Sequence, residues 1–232
     1  MTTRPRVLLS VAASLDGYID DASAQRLLLS NSADFDRVDQ VRAASDAILV
    51  GARTLRTDNP RLLVNSAERR AARIAAGKPE YPVKVTVTDS GDLDPELRFW
   101  HTGGDKLVYT SEAGAARLRG RLDSSAEVVV LGSRLALPAL LDDLGARGIE
   151  RLMVEGGTGM HTGFLAADLV DEIRLAIAPI LVGDPAAPRF VGPARFPGGA
   201  QRRLRLAGVE QLGDVAVLNY LVDPSAEPGN YV

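Results

Sequence analysis

Seven short runs of this chain are apolar almost without interruption: RVLLSVAA, DAILVG, PVKVTVTD, KLVYT, AEVVVLG, IERLMVE and DEIRLAIAPILVG. Their β-branched content and lack of strict alternation predict strands buried on both faces, as in parallel sheets. Between them lie segments of helical period. In SADFDRVDQVRAAS, Phe35, Val38, Val41 and Arg42 recur at helical spacing behind Ser32 as N-cap. EAGAARLRGRL, TGMHTGFLAADL and LALPALLDDLGARG also read as helices, the last stopped by Gly148. The alternation persists to about residue 183 and predicts an α/β fold, a mostly parallel central sheet flanked by helices. RRLRLAGVEQLGDVAVLNYLV then places two strands around an LGD turn, a C-terminal antiparallel hairpin. SAERRAARIAAGKPEYP reads as a charged surface helix and loop, and GDPAAPRFVGPARFPGGA as a long loop. No repeat or linker divides the chain, so a single domain over 1–232 is expected.

Composition narrows the function. The chain has 232 residues, enough for a sizeable core. A net charge of −3 gives no sign of nucleic-acid or anionic-membrane binding. With no cysteine and two histidines, His101 and His161, thiol chemistry and a His- or Cys-rich metal site are not expected. The apolar run after the first arginines is broken at Asp16 and reads as a first strand rather than a signal peptide. No stretch approaches a membrane span, so a cytoplasmic protein is expected. His161 is expected to be a lone exposed histidine and His101 a loop residue.

The most distinctive stretch is MVEGGTGMHTGFL, Met153 to Leu165, where a strand passes into a helix. Gly157, Gly159 and Gly163 let the backbone turn tightly and approach a ligand, and the helix start favours an anion, so a nucleotide diphosphate would suit it. Packing alone also produces such turns. The classical dinucleotide fingerprint does not fit: the turn comes after five strands, and no acid ends the next one. Two further strand ends carry polar caps. ILVGARTLRTDNPRL presents Thr54, then Asp58, Asn59 and Pro60. VTVTDSGDLD presents Asp89, Ser90 and Gly91. Neighbouring C-terminal strand ends are where open α/β sheets place ligands.

Taken together, AASLDGYI, AILVGARTLRTDNPRLLV, VTVTDS, LMVEGGTGMHTGFL and LVDEIRLAIAPILVGD resemble the reductases of riboflavin biosynthesis over about residues 5–222. The resemblance implies a dihydrofolate reductase-like fold, NADPH as cofactor, a ribosylaminopyrimidine 5′-phosphate as substrate, reduction of ribosyl to ribityl, and a homodimer. It is closer to the stand-alone reductases, since no zinc-deaminase signature is present. By position it puts Ala13, Thr54, Asp58, Asp89, Ser90, Gly156, Gly157, Thr158 and Gly159 at the cofactor. Arg42, Arg61, Leu62 and Glu155 fall on the substrate side. Glu155 and Asp58 are the candidate catalytic residues. Glu155 either donates a proton or orients the substrate, with orientation favoured. Asp58 holds a ribose hydroxyl or loop amide rather than moving protons. Arg42 reads equally as a solvated helix residue. The chain departs from the family pattern at Asn59, where a second Asp is usual, and at Asn65, where an arginine is expected near the substrate phosphate.

Two other functions fit less well. A pterin reductase would share fold and cofactor but needs an acid from the first helix, where Asp34 and Asp36 look like surface positions. A non-catalytic NADPH sensor would not need Glu155, Thr54 and Asp58 together.

Overall fold

The computed structural model describes residues 4–23, 25–122, 125–223 and 229. Residues 24, 123 and 124 and both ends of the expected 1–232 domain lie outside them. Along the chain run β1 Arg6–Ser14, α1 Ser32–Ala44, β2 Ala47–Gly51, α2 Ala52–Asp58, α3 Ala67–Ala75, β3 Val83–Thr88, α4 Arg98–His101 and β4 Lys106–Thr110. They are followed by α5 Glu112–Leu118, β5 Glu127–Val130, α6 Leu137–Ala146, β6 Arg151–Gly156, α7 Thr158–Ala166, β7 Glu172–Ala178, β8 Arg205–Leu212 and β9 Val215–Leu221.

The chain forms two compact units. One is residues 39–153 with residues 4–5, the other residues 6–38 with 154–223. The boundary falls inside β6. In the first unit the strands lie in the order β5-β4-β3-β2-β6, and β2 through β5 pair in parallel. β2, β3 and β4 are buried almost throughout, as their unbroken apolar runs predict. β5 departs from that expectation. It is an edge strand with Glu127 and Val130 exposed, because an apolar run cannot reveal whether a neighbour exists on both sides.

In the second unit the order is β6-β1-β7-β9-β8; β1 and β7 pair in parallel, β7–β9 and β9–β8 antiparallel. This is the predicted mixed architecture with its C-terminal hairpin. β9 is paired on both sides, and the sheet edge is β8, with Leu206 and Val209 exposed.

Three details of helix chemistry differ from the sequence expectation. The α1 cap is Asn31 rather than Ser32: its side-chain oxygen accepts the Asp34 amide at 3.0 Å. Its amide group also donates to the Leu212 carbonyl at 2.6 Å, tying the helix start to the hairpin turn. Asp34 is fully buried instead of surface-facing, in an ion pair with the buried Arg174 of β7. Phe35, on the expected apolar stripe, is exposed. Val41 is buried as the stripe predicts and Asp36 is exposed, but two acids of α1 are buried as well: beside Asp34, Asp39 accepts the Asn65 and Ser66 amides and the Arg69 guanidinium.

Candidate active site

In the first unit the candidate residues cluster after β2 and β3. α2 carries Thr54, half-buried, and ends at Asp58, which accepts the Thr57 hydroxyl at 2.7 Å. The chain then leaves helical geometry through Asn59 at φ 43° and Leu62 at φ 47°. Two left-handed non-glycine residues in four positions hold a backbone that surrounding contacts must enforce. Arg98 supplies some of them: its amide donates to the Asn59 side-chain oxygen at 2.8 Å, and its guanidinium to the Asn59 carbonyl at 2.7 and 3.1 Å. Arg61 is exposed; Leu62 is buried in the cluster that contains Phe99 and Trp100. Arg42 lies in the last turn of α1 and donates to the Leu63 carbonyl at 3.2 Å. Exposed Asn65 gives its backbone amide to Asp39.

Asp89 and Ser90 stand exposed beyond β3. Their loop is fixed from behind. The Ser111 hydroxyl donates to the Asp89 carbonyl at 3.0 Å, and Gly91 approaches Gly114 so closely that a Cβ on Gly91 would sit 2.3 Å from the Gly114 carbonyl oxygen. Neither glycine has room for a side chain, which leaves the two polar side chains facing solvent on a rigid base.

In the second unit β6 delivers Glu155, half-buried, to its C-terminal end, and Gly156 and Gly157 turn the chain into α7. Gly157 has φ 91° and ψ 138°, a conformation that L residues avoid. Its carbonyl accepts the Met160 and His161 amides, closing the first turn. A Cβ built on Gly159 meets nothing within 4 Å, so the face of this turn is open to a ligand. These features fit a diphosphate held by helix-start amides. Thr158 uses its hydroxyl to donate to the Arg189 carbonyl at 2.5 Å.

That contact belongs to a set the sequence did not disclose. The Gly192 amide donates to the Thr162 hydroxyl at 2.8 Å, and His161 Nδ1 lies 3.2 Å from the Phe190 carbonyl. The same segment, read from sequence as a plain loop, also meets the end of β1. Arg189 stacks on the Tyr18 ring at 4.3 Å and donates to its hydroxyl at 2.7 Å. Asp16 accepts the Ser14 hydroxyl at 2.5 Å and the Gly183 amide at 2.8 Å. The Ser14 hydroxyl first, then the Val182 and Gly183 amides, hold its carboxyl below the usual range. Buried Ala13 lies immediately before this knot. No single residue of 183–192 announces the role; Tyr18 and Arg189, separated by 171 positions, become a signal only together.

His161 corrects the sequence expectation. It is 1% exposed rather than on the surface, packed edge-on against Phe190. Burial pushes its pKa down to about 4 from 6.5, partly countered by the Phe190 carbonyl. The folded chain therefore refuses a proton that the unfolded chain accepts. Stability should fall as pH drops from 6.5 toward 4 and level off below, by on the order of 3 kcal/mol in full. Melting temperatures across that window are expected to drop less in His161→Phe than in the wild type. Equal slopes would remove the imidazole from the explanation. His101 closes α4 rather than lying in a loop, with Nε2 2.9 Å from the Pro95 carbonyl.

Among the described residues no group of three or more His, Cys, Asp or Glu could hold a metal ion, and no helix is long and apolar enough to cross a membrane.

Comparison with known proteins adds four findings. Residues 5–218 match the sequence profile of the RibD C-terminal domain. The chain is 37% identical over 212 residues to the 2,5-diamino-6-ribosylamino-4(3H)-pyrimidinone 5′-phosphate reductase of Archaeoglobus fulgidus, covering 91% of this chain and 95% of the relative. It is 35% identical over 221 residues to the protein of the same name from Methanothermobacter thermautotrophicus, 94% and 99% covered. A crystal structure of a diaminohydroxyphosphoribosylaminopyrimidine deaminase/5-amino-6-(5-phosphoribosylamino)uracil reductase from Thermotoga maritima superposes with a TM-score of 0.77 at 24% identity. The match covers 94% of this chain but only 56% of that one, and shares the fold.

Proposed function

This chain belongs to the family of RibD C-terminal domains, and from that premise we propose that it is an NADPH-dependent reductase of riboflavin biosynthesis acting on a ribosylaminopyrimidine 5′-phosphate. The family makes it an oxidoreductase with a nicotinamide coenzyme and a dihydrofolate reductase-like fold. The observation that carries the reading is the near full-length match to two reductases named for this substrate, in a chain whose β6–α7 turn has the open Gly157–Gly159 backbone a dinucleotide needs.

When bound, NADPH would supply the hydride for reduction of the ribosyl group at C1′. The chain's own residues bind, orient and exclude water. In this reading the Gly156, Gly157, Thr158 and Gly159 amides take the diphosphate. Ala13, Thr54, Asp58, Asp89 and Ser90 complete the coenzyme contacts, Asp58 by accepting a ribose hydroxyl. Glu155 orients the substrate's hydroxyls or pyrimidine edge, while Arg42, Arg61 and Leu62 bound the substrate and the arginines take its phosphate in place of the family arginine that is Asn65 here. The protein works as one reductase domain in the cytoplasm and pairs as a homodimer; the exposed Leu206 and Val209 on the β8 edge suit a second copy.

The test is direct. Protein incubated with NADPH and either the deaminated or the undeaminated phosphoribosylaminopyrimidine should yield a product two mass units heavier, with loss of absorbance at 340 nm. NADH run in parallel reads coenzyme preference. Turnover of dihydropterin with neither pyrimidine reduced would refute the assignment.

A further inference from the structure

The deepest cation of the first unit lies outside every motif discussed so far. Lys84, in the apolar run of β3, is 0% exposed. Its strand partners are Ile48 on β2 and Lys106 on β4. Burying an ammonium costs several kcal/mol unless it is fully hydrogen-bonded. Here all three of its protons have acceptors: the Phe99 carbonyl at 3.0 Å, the Thr102 carbonyl at 2.9 Å and the Thr102 hydroxyl at 2.7 Å. Burial first, and the Lys106 charge second, push its pKa down to about 7. A core built for stability alone would place an apolar residue at this position.

The contacts lead from Lys84 to the strained turn. The Thr102 hydroxyl lies 2.8 Å from the Arg98 carbonyl and 3.2 Å from the Arg61 carbonyl, with one proton to give. Arg98, at the other end of the same short segment, makes the three hydrogen bonds to Asn59 described above. Leu62 packs in one cluster with Phe99 and Trp100. Both left-handed residues of the turn, and Arg61 between them, are thus held by residues 98–102, and that segment is held by Lys84.

We propose that Lys84, Thr102 and Arg98 are positioning residues that brace the Asp58–Leu62 turn in its ligand-ready conformation. The proposal rests on the reading of Asp58, Arg61 and Leu62 as coenzyme- and substrate-facing. Lys84 touches neither ligand and takes no part in proton or hydride movement. Its role is to hold residues 98–102 so that Asn59 and Leu62 stay left-handed and Asp58 and Arg61 keep their places.

Lys84→Met keeps the volume and removes the three donors; Arg98→Ala removes the two guanidinium bonds to the Asn59 carbonyl from an exposed position and leaves the backbone amide bond to the Asn59 side chain in place. In both, backbone amides of residues 59–62 are expected to exchange hydrogen faster, with or without ligand. KM for NADPH is expected to rise about tenfold while kcat stays within about twofold. The double variant should add little beyond the larger single effect, since both cuts release one turn. Unchanged exchange and unchanged KM in Arg98→Ala would overturn the proposal. So would a Lys84→Met protein whose melting temperature and kcat fall with KM unchanged, the signature of a merely structural lysine. If the wild type reduces neither pyrimidine, the functional reading fails, and amide exchange still decides whether the brace exists.

Discussion

Asp34→Ala is expected to destabilise the protein by about 3–5 kcal/mol, the usual cost of stranding one member of a buried ion pair. Asp34 is fully buried and Arg174 nearly so. Among the described residues the Nε of Arg174 and the Oδ2 of Asp34 have no other hydrogen-bond partner. Removal of the carboxylate would leave a guanidinium in the core between α1 and β7 with nothing to offset its lost hydration. Since a typical domain is stable by only about 5–15 kcal/mol, much of the chain should unfold at modest denaturant. The urea midpoint measures it. Replacing both partners, Asp34→Leu with Arg174→Met, should recover most of the loss, because the pair itself contributes little net stability once its desolvation is counted. A single variant as stable as the wild type would mean that Arg174 finds water or another acceptor.

Gly159→Leu should have the opposite profile, with a large loss in binding and a gain in stability. Gly159 occupies the first turn of α7 without a positive φ, and a Cβ there meets no atom. Replacing a helical glycine removes backbone freedom from the unfolded chain and should stabilise by about 0.5–1 kcal/mol. The added side chain would fill the space that the proposed diphosphate needs and cover the helix-start amides. KM for NADPH is therefore expected to rise by roughly tenfold or more, a loss of at least about 1.4 kcal/mol in binding, while the melting temperature rises. A higher melting temperature with unchanged KM would place the coenzyme elsewhere.

The two variants mark how far the sequence could be read. The Gly157–Gly159 turn was visible because its message is local: a strand, small residues, a helix. The parallel strands were visible for the same reason, since burial on both faces leaves an unbroken apolar run. Asp34 and His161 depart from the sequence expectation because burial of a polar side chain depends on a partner far along the chain. Asp34 meets Arg174 and His161 meets the Phe190 carbonyl, and neither spacing has a period. Asp58 and Arg61 stand out by family resemblance, whereas the left-handed residues beside them and the Arg98 contacts that hold them have no local signature. Lys84 does have one: a lone lysine in VKVTVT, a run otherwise wholly β-branched, marks a cation in a strand that should be buried.

The contacts of residues 183–192 also dictate an order of events during synthesis. β1 leaves the ribosome well before its parallel partner β7 and the arginine that clamps Tyr18, which emerge more than a hundred residues later. β1 must therefore wait for these partners while the residues between them are made. Although β8 and β9 form a local hairpin, the β1–β7 pairing must close a long stretch of chain, which slows folding and leaves an apolar strand edge open to aggregation until it forms.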